Sequence, residues 1–305
     1  MYIKETIDFC GRPLTIESGK IAKQASGSCF VRYGETVIFV AVTASKGIEE
    51  DRGFFPLSVE YREKFYASGR IPGGFFKREA RPSEREILAS RLTDRPLRPL
   101  FKKGFNNETR VDINVLSYDN ENEPDVLAAL GASYALMISD IPFEGPIASI
   151  RVAHIDGNNV MNPTKSQLEE SDFDLVLSGT ETSIVMVEGK CNFVSEDTVL
   201  QAIQYGHEGI KDLIKLQNTL TTKLDIKKRE VSISEPDSDL IADVNKYIDG
   251  KISQLNNPKN KFDRYNDIDV FITKTIEHFS EKYPDDGSVI KNHIDHLVAD
   301  DLRKM

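Results

Sequence analysis

A pattern that occurs twice in the first 221 residues constrains the fold of this chain most strongly. Short β-type runs separated by a turn are followed by a helix. The runs Cys29–Val31 and Thr36–Thr43 flank "RYGE", and the helical segment "PDVLAALGASYALMISD" comes later. Four further runs flank "DG" and "GTETS", and a helix with Ser195 as its N-cap follows. This order predicts an α/β (α+β) fold with mixed strand directions, in two halves at 1–145 and 146–221.

The composition changes after this region. Residues 222–238 are polar and lack helical periodicity, which predicts a linker. Residues 239–305 then show apolar positions at helical spacing, which predicts a small all-α domain. The apolar positions of its three expected helices are Leu240, Val244, Tyr247 and Ile248; Val270, Ile276 and Phe279; and Ile290, Ile294 and Leu297.

Charge is distributed unevenly. The whole chain carries a net charge of −10, but the segment from Arg62 to Lys103 holds 12 Lys and Arg against 5 Asp and Glu. A cationic segment in an acidic protein produces a local field that attracts polyanions. The alternative is a solvated basic face whose charges are balanced by nearby glutamates.

The densest part of this segment is "GRIPGGFFKREARPSE", residues 69–84. Its glycines indicate a loop, which holds Phe75 and Phe76 next to Lys77, Arg78 and Arg81. Exposed rings can stack on nucleobases, and the cations can hold phosphates, which predicts a site for single-stranded RNA. The alternative is that both phenylalanines are buried at a subunit interface.

A helix is predicted to begin after Ser83, with Glu86 completing a capping box, and to end before Pro96. This places Arg91 on the helix, and Arg95 and Arg98 on an extended segment. These arginines are either further RNA contacts or members of structural ion pairs with Asp94 and nearby glutamates. For Arg98 we favour the ion pair.

Signals for catalysis or metal binding are weak in this sequence. Asp172 and Asp174 lie two residues apart and would face the same way on a strand, so they are candidates for Mg²⁺ binding, although a surface pair is commoner. His293 and His296 are only two potential ligands on a helix face, so no metal site is predicted. The three cysteines are far apart, and no secretory signal or membrane span is apparent, so we expect a reduced, cytoplasmic protein.

The segment "FFPLSVEYREKFYASGRIPGGFFKREARPSEREILASRLTDRPLRPLF" closely resembles the first core of the bacterial polynucleotide phosphorylase family. "LVLSGTETSIVMVE" and "SEDTVLQAIQYGHEGI" resemble the continuation of that core, and the tail resembles the all-helical domain that follows it. The resemblance implies a ribonuclease PH-like core (ribosomal protein S5 domain 2-like) followed by a small all-α domain. It covers essentially the whole chain, which would be the N-terminal portion of such an enzyme.

The family resemblance implies a 3′-to-5′ phosphorolytic exoribonuclease that acts in mRNA degradation and releases nucleoside diphosphates. It implies Mg²⁺ and inorganic phosphate as cofactor and co-substrate, a homotrimeric ring, single-stranded RNA as partner, and RNA-degradation machinery as a further partner. By position in the family's channel loop, Phe75, Phe76, Lys77 and Arg78 are the implied RNA contacts. The resemblance carries Arg81, Arg91 and Arg95 over to the same role.

The sequence departs from the family pattern in ways that bear on catalysis. Asp174 resembles a metal carboxylate of the family's active core, but "GTETS" follows it instead of a Ser/Gly-rich phosphate-binding segment. Ala80 and Lys77 replace the Gly and Arg of many relatives. We therefore expect a non-catalytic core that grips RNA, with Mg²⁺ and phosphate held chiefly by a second core. The alternatives are a free-standing RNA-binding or ring-scaffold subunit, and a self-sufficient nuclease that uses Asp172 and Asp174.

Overall fold

The computed structural model describes residues 1–47, 54–75, 77–231, 237–257 and 260–305. The chain divides into two compact units, Met1–Ser232 and Ile233–Met305. This division falls within the expected linker, 222–238.

The first unit begins with a six-stranded sheet of mixed direction, in the order β1-β2-β3-β4-β6-β5. All neighbouring pairs are antiparallel except β5 and β6, which are parallel. The first two strands, each of seven residues, were not among the predicted runs. The strands are β1 (Ile3–Phe9), β2 (Arg12–Ser18), β3 (Gly27–Tyr33), β4 (Thr36–Ala44), β5 (Leu57–Glu63) and β6 (Thr109–Ser117).

Helices α1 (Glu84–Leu97) and α2 (Pro124–Met137) pack on this sheet. Most of α2 is buried, because its small residues let it approach the strands closely. A Cβ atom at Gly131 would lie only 2.8 Å from Val40 Cγ2, so the close packing requires glycine there.

A four-stranded antiparallel sheet, ordered β10-β9-β7-β8, forms the second half of this unit. Asp156 and Gly157 form the predicted turn between β7 and β8, both with positive φ. The long helix α4 packs on the sheet, and Ser195 caps it as predicted. These elements are β7 (Ala148–Ile155), β8 (Asn158–Met161), α3 (Lys165–Leu168), β9 (Phe173–Gly179), β10 (Ile184–Cys191) and α4 (Glu196–Thr221).

The loop between β6 and α2 is organised by one carboxylate. Asp119 accepts backbone hydrogen bonds from Glu121 at 2.9 Å, Asn122 at 2.7 Å and, across the sheet, Glu35 at 3.1 Å. Burial raises the pKa of Asp119, but the hydrogen bonds from Asn122 and Glu121 stabilise its charged form more strongly, and the pKa falls from 3.8 to about 2.

The predicted end of α1 was wrong. The helix continues through the buried Pro96 to Leu97, and a 3₁₀ turn, Arg98–Leu100, follows it. The residue before a proline avoids the helical region only by a modest steric preference, which burial of Pro96 and Leu97 outweighs here. Arg95 therefore lies on the helix, and not on an extended segment.

Part of the expected linker is fastened to the first unit. The ammonium group of Lys228 donates to the carbonyl oxygens of Leu136, Met137 and Ser139 at 2.8 to 3.1 Å. Arg229 forms an ion pair with Asp140 at 2.7 Å. Lys228 thus donates to carbonyl groups at and just beyond the C-terminal end of α2, where a helix lacks intrahelical donors; Leu136 also accepts from Ser139.

The second unit is helical in its described residues and has its own apolar core. Helix α7 buries Ile268, Ile272 and Phe279, whereas Val270 is exposed, so its predicted place on the buried face was wrong. The helices are α5 (Ser238–Ile248), α6 (Ile252–Leu255), α7 (Lys261–Phe279) and α8 (Gly287–Lys304).

Candidate nucleic-acid interface and the adjacent charged groove

The predicted RNA-binding residues of the loop lie on a surface segment, residues 69–83, which we call the cationic loop. It leaves a 3₁₀ turn, Phe65–Ser68, through Gly69, which has a φ of 70°. It ends where Ser83 and Glu86 form the predicted capping box of α1. The loop is therefore fixed at both ends by local backbone structure.

The described phenylalanine of the cationic loop, Phe75, faces solvent. The side chain of Phe75 is 92% exposed, and Gly74 before it has a φ of 63°, a conformation that favours glycine. Phe76 lies outside the described residues. An exposed phenylalanine ring offers an apolar face on which a nucleobase can stack.

Three cations follow the ring along the loop. Lys77, Arg78 and Arg81 are all exposed. In the part of the chain that the structure describes, no carboxylate forms an ion pair with any of them. Their charges are available to an external anion such as a phosphate group.

One glutamate anchors the loop. Glu79 accepts a hydrogen bond from Lys64 Nζ at 2.9 Å and another from the backbone N–H of Phe65 at 3.1 Å. The bond from Lys64 lowers the pKa of the Glu79 carboxyl below its ordinary value. Glu79 lies between Arg78 and Arg81 in the sequence, so the anchor fastens the backbone between these two cations.

The arginines of α1 have different environments. Arg91 is exposed, whereas Arg95 forms an ion pair with Glu188 of β10. Arg98 pairs with Asp94 at 2.7 Å and donates to backbone carbonyl groups, as the structural interpretation of this residue predicted. Arg91 is therefore exposed like the loop cations. Arg95 instead connects α1 to β10, and Arg98 connects the end of α1 to the backbone at the start of β5.

Next to α1 lies a groove of about 480 Å³, which we call the charged groove. Arg85 of α1 reaches into it and forms ion pairs with Glu63 at 3.0 Å and with Glu123. Burial opposes the charge of Arg85, but the two carboxylates outweigh burial and raise its pKa.

A second arginine occupies the floor of the charged groove. Arg151 of β7 donates through Nη1 to both carboxylate oxygens of Asp174, at 2.8 and 2.6 Å, and through Nη2 to Asp125. Its side chain is only 11% exposed. Burial opposes this charge too, and Asp125 and Asp174 together raise the pKa of Arg151 above its ordinary value.

This arrangement does not fit a metal site at Asp172 and Asp174. A guanidinium group already neutralises Asp174, and Asp172 is an exposed residue that precedes β9. The described residues contain no group of three or more His, Cys, Asp or Glu that could hold a metal ion. Glu123, Asp125 and Asp174 of the groove therefore serve as partners of arginine.

Sequence reasoning did not identify Arg151, Asp125, Arg85, Glu123 or the Lys64–Glu79 anchor. One signal was present for Arg151, since a single arginine interrupts the apolar strand "IASIRVAHI". A charge in a buried strand requires a partner. The partners come from α2 and β9, which sequence spacing alone does not bring together.

Comparison with known proteins assigns this sequence to a family. A family model described as "3' exoribonuclease family, domain 1" matches residues 11–142, and the model for domain 2 of the same family matches residues 145–209. The chain belongs to the 3′ exoribonuclease family. The cationic loop of this family member lies in the segment matched as domain 1, and Arg151 and Asp174 lie in the segment matched as domain 2.

Curated relatives in the 3′ exoribonuclease family are polyribonucleotide nucleotidyltransferases. The protein of Brevibacillus brevis is 45% identical over 98% of this chain and 43% of its own length. That of Geotalea uraniireducens is 44% identical over 93% of this chain and 41% of its own length. The chain therefore spans less than half the length of these relatives.

A solved structure agrees with this membership at the level of the fold. Rrp46 from rice, Oryza sativa, matches with a TM-score of 0.55 at 15% identity, over 72% of this chain and 94% of that one. The ribonuclease PH-like fold expected from the sequence is thereby confirmed. Among the described helices, none combines the length and apolar character that crossing a bilayer requires.

Proposed function

We propose that this chain is the RNA-gripping, non-catalytic portion of a 3′-to-5′ phosphorolytic exoribonuclease. In the proposed reaction, phosphate replaces water at the 3′ end of single-stranded RNA, and nucleoside diphosphates are released. The proposed role is mRNA degradation in the cytoplasm. The relatives are polyribonucleotide nucleotidyltransferases, which supports the reaction class.

One observation carries the RNA-binding part of this proposal. The cationic loop presents the 92% exposed ring of Phe75 beside Lys77 and Arg78, which have no carboxylate partner in the described residues. Rings that stack on bases and cations that hold phosphates together bind single strands with little sequence preference. We propose Phe76, Arg81 and Arg91 as further contacts. Arg95 is the weakest of the proposed contacts, because Glu188 already binds it.

The charged groove supports the proposal that this chain is non-catalytic. Phosphorolysis requires an anionic phosphate to bind beside the RNA 3′ end, but each arginine of this groove is engaged by two carboxylates. The groove therefore offers no unpaired cation to the incoming phosphate from Arg85 or Arg151. We propose that Mg²⁺ and inorganic phosphate bind chiefly in the part of the relatives' length that this chain does not span.

We further propose a homotrimeric ring in which three cationic loops surround a channel, with other proteins of RNA degradation as partners. Threefold repetition would place three copies of the loop around one strand. Once one loop has bound the RNA, the other two would meet the same strand at a high effective concentration. Size measurement of this chain by light scattering, with and without RNA, tests the ring separately from RNA binding.

The decisive experiment is a paired assay on the chain. Single-stranded RNA is supplied with Mg²⁺ and phosphate, and both RNA binding and release of nucleoside diphosphates are followed. We expect binding without release. Failure of the chain to bind RNA over a range of salt concentrations contradicts the proposal.

The same assay separates two alternatives. A free-standing RNA-binding scaffold subunit would bind RNA in the same way, but adding the remaining part of a relative would not generate phosphorolysis. A self-sufficient nuclease would release diphosphates, and Asp174→Asn would abolish that release while a matched Asp172→Asn variant tests the second carboxylate. The ion pair between Asp174 and Arg151 favours the non-catalytic interpretation over this last one.

A further inference from the structure

A small cavity lies at the base of the cationic loop. Its volume is about 180 Å³, below the roughly 300–1,000 Å³ typical of drug-sized ligand pockets and suited to a single planar ring. Its apolar lining comes from Ala67, Val115 and Pro124, and the rings of Phe65 and Tyr118 flank it. We call this cavity the base pocket.

Backbone hydrogen bonds hold the base pocket in shape. The N–H of Tyr118 donates to the carbonyl oxygen of Ala67 at 2.9 Å, which joins the end of β6 to the 3₁₀ turn. The N–H of Arg70 donates to the carbonyl oxygen of Phe65 at 3.0 Å, which closes that turn. The wall residue Phe65 remains 43% exposed, so a ligand can reach its ring from solvent.

The charge around the pocket complements a nucleotide. Two cations, Lys64 and Arg70, and one carboxylate, Glu63, line it. Glu63 pairs with Arg85 and Lys64 pairs with Glu79, whereas within the described residues no carboxylate pairs with Arg70. Arg70 is therefore the lining cation that is available to a phosphate. The anchor from Glu79 to Lys64 and to the backbone of Phe65 draws the cationic loop to the wall of the pocket. Arg78 and Arg81 flank Glu79 in the sequence, so we expect them to lie close to this anchor.

We infer that the base pocket takes one nucleobase of the bound RNA strand, and that the neighbouring phosphates lie on Arg70 and on the cations of the loop. The base would insert between Phe65 and Tyr118 above an apolar floor, which favours any base because each has a flat aromatic face. This inference rests on the proposed RNA-binding function and adds a second contact point to the exposed ring of Phe75.

A matched pair of variants tests the pocket. Phe65→Ala removes a wall, whereas Tyr66→Ala removes a ring that is 57% exposed in the same turn but does not line the pocket. For a single-stranded RNA of about a dozen nucleotides, we expect Phe65→Ala to weaken binding roughly 5- to 100-fold and Tyr66→Ala to change it less than about 2-fold. Ala67→Leu, which fills the pocket without removing a ring, should weaken binding as Phe65→Ala does.

Photocrosslinking locates the base directly. RNA carrying 5-iodouridine should crosslink to Phe65 or Tyr118 in the unaltered chain, and mass spectrometry of the digested complex identifies the residue. Crosslinks confined to the cationic loop, or equal losses of RNA affinity in Phe65→Ala and Tyr66→Ala, would show that the pocket does not bind a base. The proposed RNA binding itself would still stand. If the unaltered chain does not bind RNA at all, the proposed function is contradicted as well.

A free nucleotide shares the chemistry of a base with a phosphate, so ADP is tested in a separate arm. Binding of RNA through the pocket predicts that ADP competes weakly and that the crosslink to Phe65 or Tyr118 persists. If ADP binds to the unaltered chain but not to Phe65→Ala, and RNA gives no crosslink in the pocket, the occupant is a free nucleoside diphosphate and the assignment to the strand is wrong.

Discussion

The carboxylate of Glu79 accepts a hydrogen bond of 2.9 Å from the ammonium group of Lys64, and this contact ties the cationic loop to the end of β5. An acidic residue among phosphate-binding cations would by charge alone weaken RNA binding. Its bonds to Lys64 and Phe65 suggest a different role, in which it fixes the backbone between Arg78 and Arg81. The effect of removing it therefore separates loop geometry from simple electrostatics.

We expect Glu79→Gln to weaken binding of single-stranded RNA about 3- to 10-fold, although the variant is less negative, because a neutral amide holds Lys64 and the loop less tightly. Glu84→Gln is the matched control, since it removes the same charge from an exposed position nearby. Fluorescence anisotropy at fixed salt measures both. Stronger binding by Glu79→Gln would show that the anchor has no part in RNA recognition.

The ring of Phe75 should contribute affinity without salt dependence. Phe75→Ala is expected to cost about 1–3 kcal/mol of binding free energy, because a stacked base loses its platform. The slope of log affinity against log salt concentration should stay the same, since no charge is removed. Phe75→Tyr keeps an aromatic face and should bind like the unaltered chain. An unchanged affinity of Phe75→Ala at every salt concentration argues against stacking at this position.

The loop cations should show the opposite behaviour. Arg78→Gln is expected to reduce the salt slope by about 0.7 for each lost phosphate contact to a single strand. Arg95→Gln is the comparison, because Glu188 already neutralises Arg95 and its loss should change the slope less. Titrations at several salt concentrations give both slopes. Equal changes in the two variants would mean that Arg95 leaves Glu188 to contact RNA.

Arg151 should be needed for stability. Arg151→Met leaves Asp125 and Asp174 without their shared cation, so we expect a loss of about 3 kcal/mol in the free energy of unfolding. Arg151→Lys retains a charge but cannot bind both carboxylates in the same geometry, and should lose less. Urea denaturation measures each variant. A stable Arg151→Met variant would show that the groove tolerates the two uncompensated carboxylates.

The lowered pKa of Asp119 predicts that the stability of the fold depends on pH in the acid range. Its pKa is lowered from 3.8 to about 2 in the folded state, so its contribution is fully present above about pH 4 and is lost as the pH falls toward 2. Asp119→Asn removes this titration, and should be less stable near neutral pH but lose less stability between pH 4 and 2. Thermal unfolding across that range measures the difference. Parallel pH profiles for the two proteins would contradict the assignment.

Local signals in the sequence predicted the turns and helix starts well. Ser83 with Glu86, and Ser195, satisfy backbone groups within a few residues, and Asp156 with Gly157 adopt the positive φ that their turn requires. In each case the chain segment itself determines the outcome. Pro96 shows the limit of this approach. Its local preference predicts a helix end, but burial against the core decides the conformation.

The candidate site shows the same contrast between features that local sequence predicts and features that tertiary packing decides. Phe75 and the cations of the loop are neighbours in sequence, so their common exposure could be anticipated. The ion pairs of Arg151 join β7 to α2 and β9, and the bond from Lys64 to Glu79 spans a loop of 15 residues. Such pairs depend on tertiary packing, which the spacing of charges along one sequence does not encode.

The bonds from Lys228 and Arg229 have a practical consequence for dissecting the protein. A fragment that ends with helix α4 at Thr221 would leave the carbonyl groups of Leu136, Met137 and Ser139 without these donors. A protease acting on the folded chain should for the same reason spare residues 222–229. A fragment that retains these bonds and the packing of Val231 against the core therefore extends about ten residues past the last helix of that unit, to Val231.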